Sequence, residues 1–98
     1  MLKLLEKLTS ISREKGVRIE IYFNRCKGRL LIDKEVKALD EYGNVAPWGR
    51  AFPGIAIQNV FDQCRVKKVV VYKGSERLLE GEDLESVVRE LSSYGRYT

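Results

Sequence analysis

Asp33, Glu35 and Lys37 alternate along the chain. On a β-strand that spacing sets all three side chains on one face, where two carboxylates could hold Mg²⁺ while the ammonium steadies a phosphate, as in a metal-dependent nuclease. The same string also makes the solvated face of an edge strand, and in a helix the three side chains would diverge. No other constellation supports catalysis. Histidine is absent from the 98 residues, which removes Ser-His-Asp and Cys-His nucleophiles, imidazole bases and histidine-ligated metals together. Neither G-x-x-x-x-G-K-[ST] nor G-x-G-x-x-G occurs, so no phosphate-cradling loop is recognisable. The residues therefore assign no catalytic group, no metal and no cofactor, and binding is the expected mode of action.

A second group is cationic. Lys15, Arg18, Arg25, Lys27 and Arg29 gather on and around one turn, with only Glu14 and Glu20 nearby. Such a turn suits phosphates, and Tyr22 adds a surface on which a base could stack. The competing reading is an exposed turn kept soluble by charge. A third group lies in the loop Val45-Ala46-Pro47-Trp48-Gly49-Arg50-Ala51-Phe52-Pro53-Gly54, which holds the only tryptophan and both prolines. Pro47, Trp48, Arg50 and Phe52 have the composition of an interaction hot spot, and Trp48 with Arg50 could stack on nucleobases. Alternatively Trp48 and Phe52 fold back as a lid on the core. Tyr94, Arg96 and Tyr97 mix aromatics with charge in a tail expected to fray. Cys26 and Cys64 are far apart and form no C-x-x-C pair, and are expected to be free thiols, with Cys26 at the tip of the basic turn.

Net charge is +4 with a pI near 9.2, but residues 1–75 carry +7 and residues 76–98 carry −3. A basic body with an acidic end fits either a polyanion-binding face or a positive face docking on a negative one in an oligomer. Lys3, Glu6 and Lys7 interrupt the N-terminal leucines, so that segment reads as neither a signal peptide nor a membrane span, and a cytoplasmic location is expected. High Lys, Arg and Glu is a bias shared with hyperthermophile proteins.

These groups need a scaffold. Leu4, Leu5, Leu8 and Ile11 recur at helical spacing, with Arg13 and Lys15 suited to the last turn and Gly16 to the stop. Val17, Ile19, Ile21 and Phe23 alternate with polar residues as a strand does. A second strand after Asn24–Lys27 pairs Ile21 with Leu30 and Ile19 with Ile32 on the core side, and sets Tyr22 against Arg29 outside. Residues 33–44 fit helix or strand; strand is favoured, with a turn at Tyr42-Gly43-Asn44. Pro53 suits the start of a helix burying Ala56, Ile57, Val60, Phe61 and Cys64. Val66–Tyr72 reads as a strand covered on both faces, Lys73-Gly74-Ser75-Glu76 as a hairpin turn, and Leu84, Val87, Val88 and Leu91 as the stripe of a last helix.

The expectation is one α+β domain over residues 1–98, with residues 92–98 a frayed tail. It has three helices on an antiparallel or mixed sheet of about four to five strands, in the order α-β-β-(β)-α-β-β-α. It is expected to bind nucleic acid through Arg18, Tyr22, Arg25, Lys27, Arg29, Trp48 and Arg50, and to form a homodimer. The alternatives are a protein-interaction module using the Trp48/Arg50/Phe52 loop, and a nuclease using Asp33, Glu35 and Lys37.

Overall fold

The computed structural model describes residues 2–94. Helix α1 spans Leu2–Lys15 and stops at Gly16, whose φ of 63° reverses the chain without a Cβ clash. Strands β1 (Arg18–Phe23), β2 (Arg29–Ile32) and β3 (Val36–Leu39) follow. A short helix α2 (Trp48–Ala51) comes next, then a 3₁₀ turn (Ile57–Asn59) running into α3 (Val60–Cys64). Strands β4 (Val66–Lys73) and β5 (Glu76–Gly81) and helix α4 (Leu84–Tyr94) complete the described residues. The five strands form one antiparallel sheet in the order β3-β2-β1-β4-β5, an α+β arrangement in the expected sequence of elements.

The alternation read from β1 decides the layering. Ile19, Ile21 and Phe23 point to one side with Leu30 and Ile32 of β2 and Val69 and Val71 of β4, all buried. Leu5, Leu8 and Ile11 of α1 and Leu84, Val87, Val88 and Leu91 of α4 join that same cluster. The β1–β2 register is the expected one, Ile19 against Ile32 and Ile21 against Leu30. Asp83 caps α4: its carboxylate accepts from the Ser86 hydroxyl at 2.8 Å and the Glu85 N–H at 3.2 Å, and these bonds hold its pKa below the usual value. Helix α4 runs on through Ser92 and Ser93 to Tyr94, so the first part of the expected tail is helical, and residues 95–98 lie outside the described residues.

Three local readings need correction. The helix expected from Pro53 is broken. Pro53 and Gly54 make a turn after α2, Ala56 is exposed, Ile57 and Phe61 are half-buried, and only Val60 and Cys64 are fully buried. A five-residue helix offers too few positions for a continuous stripe. Asp33 and Glu35 do not share a strand face with Lys37: they flank Lys34 in the β2–β3 turn, where the Asp33 N–H bonds the Glu35 carbonyl and Lys34 takes φ 66°. Ser12 fixes that turn. Fully buried, its hydroxyl donates to the Val17 carbonyl at 2.6 Å and accepts the Lys34 N–H at 2.9 Å. Finally, Cys26 and Cys64 are joined in a disulfide with Cα atoms 5.2 Å apart. Distance in sequence misleads here because β1 and β4 are antiparallel neighbours, and their ladder, continued past Phe23 and Val66, brings Cys26 to Cys64. The Asn24 and Arg25 N–H groups bond the Arg65 and Cys64 carbonyls and hold the turn there.

The bond closes a loop of separation 38, so its removal restores chain entropy worth on the order of 2–4 kcal/mol to the unfolded state. Mild reduction, or Cys26→Ala with Cys64→Ala, is expected to lower Tm by roughly 10–20 °C in calorimetry. Ser12→Ala is expected to cost about 1–3 kcal/mol in a denaturant titration, because it strands the buried Val17 carbonyl and Lys34 N–H.

Candidate functional site

The helices of the described residues contribute to the core on one side of the sheet, and the opposite side carries the alternating outward residues of the strands, with the loop at residues 41–43 reaching the Arg29 head group at one border. Strand pairing arranges the outward residues in three rows. One row reads Leu39, Arg29, Tyr22 and Lys68; the next Lys37, Leu31, Glu20, Val70 and Glu80; the third Arg18, Tyr72 and Arg77. The first and third rows are aromatic and cationic. The Arg29 guanidinium carbon lies 5.0 Å from the Tyr22 ring centroid and the Lys68 Nζ 4.7 Å, on the two neighbouring strands. Arg18 lies 5.5 Å from the Tyr72 centroid. The rings stand four positions apart along adjacent strands, roughly 13 Å.

Beneath the long side chains Val70 is 1% exposed, although it belongs to no helix-facing cluster. Its neighbours on that face are Glu20 and Glu80 across the strands and Lys68 and Tyr72 two positions along β4, long side chains of the kind that cover an apolar residue while keeping their polar ends in water. The middle valine of Val69-Val70-Val71 is thus buried from the side away from the helices, and the run is covered on both faces as its sequence implied.

Charge on this face is unbalanced. Among the described residues there are two ion pairs, Arg77–Glu80 at 2.9 Å and Lys27–Glu41 at 3.9 Å. The first arises from an irregularity in β5: Tyr72 pairs with Arg77 but Val71 with Leu79, leaving Leu78 as an extra residue. Leu78 and Leu79 both pack on the core, which sets Arg77 and Glu80 side by side and neutralises them. Arg18, Arg29, Lys37 and Lys68 have no carboxylate partner there. Arg18 donates to the Gly74 carbonyl and Arg29 to the Glu41 carbonyl, bonds that orient the guanidinium groups without cancelling their charge. The remaining carboxylate, Glu20, accepts the Tyr22 hydroxyl at 2.9 Å. Burial of the ring first, and that bond second, raise the Tyr22 pKa above its ordinary value, against a smaller opposing pull from Arg29.

Of the residues expected at a site, Arg18, Tyr22 and Arg29 come together on this face. Arg25 and Lys27 do not: they lie at the β1–β2 turn, exposed, beside Arg50. Trp48 is half-buried, stacked on Phe52 with centroids 4.5 Å apart, and its indole N–H bonds the Ile55 carbonyl at 2.6 Å. Phe52 is 1% exposed and meets Phe23 edge-on at 5.7 Å. The loop is folded back as a lid, leaving Pro47 and Arg50 exposed. Close approach makes this possible: a Cβ on Gly28 would collide with the Ala51 carbonyl oxygen. Lys68, Tyr72 and Lys37 are additional members. Their signal was the alternation of Lys68, Val70 and Tyr72 against Val69 and Val71, which becomes informative only once β4 is known to lie beside β1. The described residues contain no group of three or more His, Cys, Asp or Glu able to hold a metal ion, and no helix among them is long and apolar enough to cross a membrane.

No protein-family model, curated protein or solved structure matches this chain.

Spectrophotometric titration should find Tyr22 ionising above the ordinary tyrosine range, with Glu20→Gln moving it down. Because the folded-state value is raised, the associated stability is present below the ordinary tyrosine pKa and is lost as pH climbs through the raised one. Gly28→Ala is expected to destabilise the domain by about 1–3 kcal/mol by forcing α2 and the aromatic lid off β2.

Proposed function

We propose that the protein binds single-stranded nucleic acid on the helix-free face of its sheet. The observation that carries this reading is the pair of tyrosines on adjacent central strands, Tyr22 flanked by Arg29 and Lys68 and Tyr72 flanked by Arg18, with no carboxylate paired to these cations. Aromatic rings offer stacking surfaces to any base, and cations beside them meet the phosphates on either side. A base arriving on Tyr22 takes the place of Lys68 or stacks on the outer plane of the Arg29 guanidinium. In the first case Lys68 is released towards the backbone, and in the second Arg29 stays between ring and base. Glu20, between the rows, repels phosphate and accepts from an exocyclic amine, so the phosphates lie over the cationic rows and the strand crosses the middle row in passing from Tyr22 to Tyr72.

A duplex fits less well, since an open five-stranded sheet is far wider than a groove that admits a two-stranded ribbon. The face also opposes self-association through itself, because two copies would set cation against cation; a homodimer would have to use another surface. Arg25, Lys27 and Arg50 extend the positive field at one end of the sheet and would guide the strand in. Disulfides persist in oxidising compartments and in the intracellular proteins of hyperthermophiles. The Lys-, Arg- and Glu-rich composition favours the second setting, and on that basis we retain a cytoplasmic location.

The test is fluorescence anisotropy with labelled single-stranded RNA and DNA. Affinity should fall with salt at a log–log slope of about −0.7 per phosphate contacted. Tyr22→Ala and Tyr72→Ala should each weaken binding by about 1–3 kcal/mol. Arg18→Ala or Arg29→Ala should reduce the salt slope, and Arg89→Ala, on the helical side, should change nothing. Unaltered binding by both tyrosine variants, or an affinity insensitive to salt, would refute the reading.

A further inference from the structure

At the end of the sheet near the β1–β2 turn, a groove of about 500 Å³ is lined by Arg25, Cys26, Lys27, Arg50, Phe52 and Ile55, among others. Its chemistry differs from that of the open face. Cys26 is half-buried and lines the groove, whereas its disulfide partner Cys64 is fully buried and does not. The two sulfurs are therefore unequal towards a reagent in water. Arg25, Lys27 and Arg50 line the same groove as Cys26. The carboxylates of the groove are Asp40 and Glu41: Asp40 is engaged by the Tyr42 and Asn44 N–H groups at 2.9 Å, and Glu41 faces Lys27. Arg25 and Arg50 are left without an ion-pair partner among the described residues.

We propose that Cys26 is a thiol-exchange site for small thiols that carry carboxylates, with Cys64 as the leaving group. The incoming thiolate attacks Cys26 Sγ, forming a new S–S bond as the Cys26–Cys64 bond breaks. The bonding pair leaves on Cys64 Sγ, which takes up one proton. A second thiolate then attacks the sulfur of the bound small thiol, releasing the symmetrical small-molecule disulfide and leaving Cys26 reduced. Two small thiols are oxidised and one protein disulfide reduced, so electrons and protons balance. Arg25 and Arg50 hold the carboxylates of the reagent beside the sulfur, and the apolar wall of Phe52 and Ile55 accommodates its stem. Exchange cuts the covalent tie between the β1–β2 turn and the end of α3, leaving the Asn24 and Arg25 backbone bonds to hold it.

Reduced glutathione serves as the probe, with neutral 2-mercaptoethanol as the comparison. Wild-type protein is treated with each, quenched in acid and mapped by peptide mass spectrometry. The expected product is one mixed disulfide, on Cys26. Arg25→Gln with Arg50→Gln should slow the glutathione reaction by about tenfold at low ionic strength and slow the mercaptoethanol reaction, whose only negative charge is the thiolate itself, much less. With oxidised glutathione, folded Cys64→Ser should be modified at Cys26, and folded Cys26→Ser should resist modification. Adducts on Cys64, equal slowing of both reagents, or a wild-type disulfide inert to glutathione would each overturn the proposal. None of these readouts involves nucleic acid, so the result is independent of the sheet-face reading.

Discussion

The antiparallel ladder between β1 and β4 is the contact on which the other features depend. It joins residues some fifty positions apart at its far end, Arg18 to Tyr72, and turns the β1–β2–β3 meander and the β4–β5 hairpin into one sheet. On the helical side it completes the apolar layer of Ile19, Ile21, Val69 and Val71. On the other side it sets Lys68 against Tyr22 and Tyr72 against Arg18. Beyond the last rung it brings the two sulfurs within bonding reach.

The period of two in a strand then divides the molecule into two solvents. Side chains facing α1 and α4 are aliphatic almost without exception, because helices there exclude water and an unpaired charge would be costly. Side chains on the far face can carry charge because their tips stay hydrated, and cation–aromatic contacts add a further modest attraction. Val70 shows that this face is not simply open: its methyl groups are kept from water by the stems of charged neighbours. Surface packing and the unpaired charge of this face are thus supplied by the same residues.

Local order was legible where the relevant partner lay nearby in sequence. The β1–β2 register followed from matching two alternating runs across a short turn, and the stop of α1 from Gly16. The three valines of β4 announced burial on both sides but not the identity of the neighbouring strand, so half of the candidate face, Lys68 and Tyr72, was missed. Trp48 could not be placed because its position depends on how closely β2 passes under α2 at Gly28, a tertiary fact. Asp33 and Glu35 were drawn away from a strand by a buried serine on a distant helix. The cysteines looked independent for the same reason that Lys68 and Tyr22 did: proximity across a sheet leaves no trace in spacing along the chain.

The extra residue at Leu78 bears on how the molecule keeps its own company. The opposite border is partly closed, since Val45 and Ala46 bond along β3, whereas β5 ends the sheet with no strand paired to its outer edge among the described residues. An even row of free backbone donors and acceptors there would template further strands and lead to fibrous growth. The irregularity at Leu78 breaks that row midway, and the adjoining Arg77 and Glu80 surround the gap with hydrated charge. The residue that silences one cation on the helix-free face also interrupts the row from which the sheet could otherwise extend.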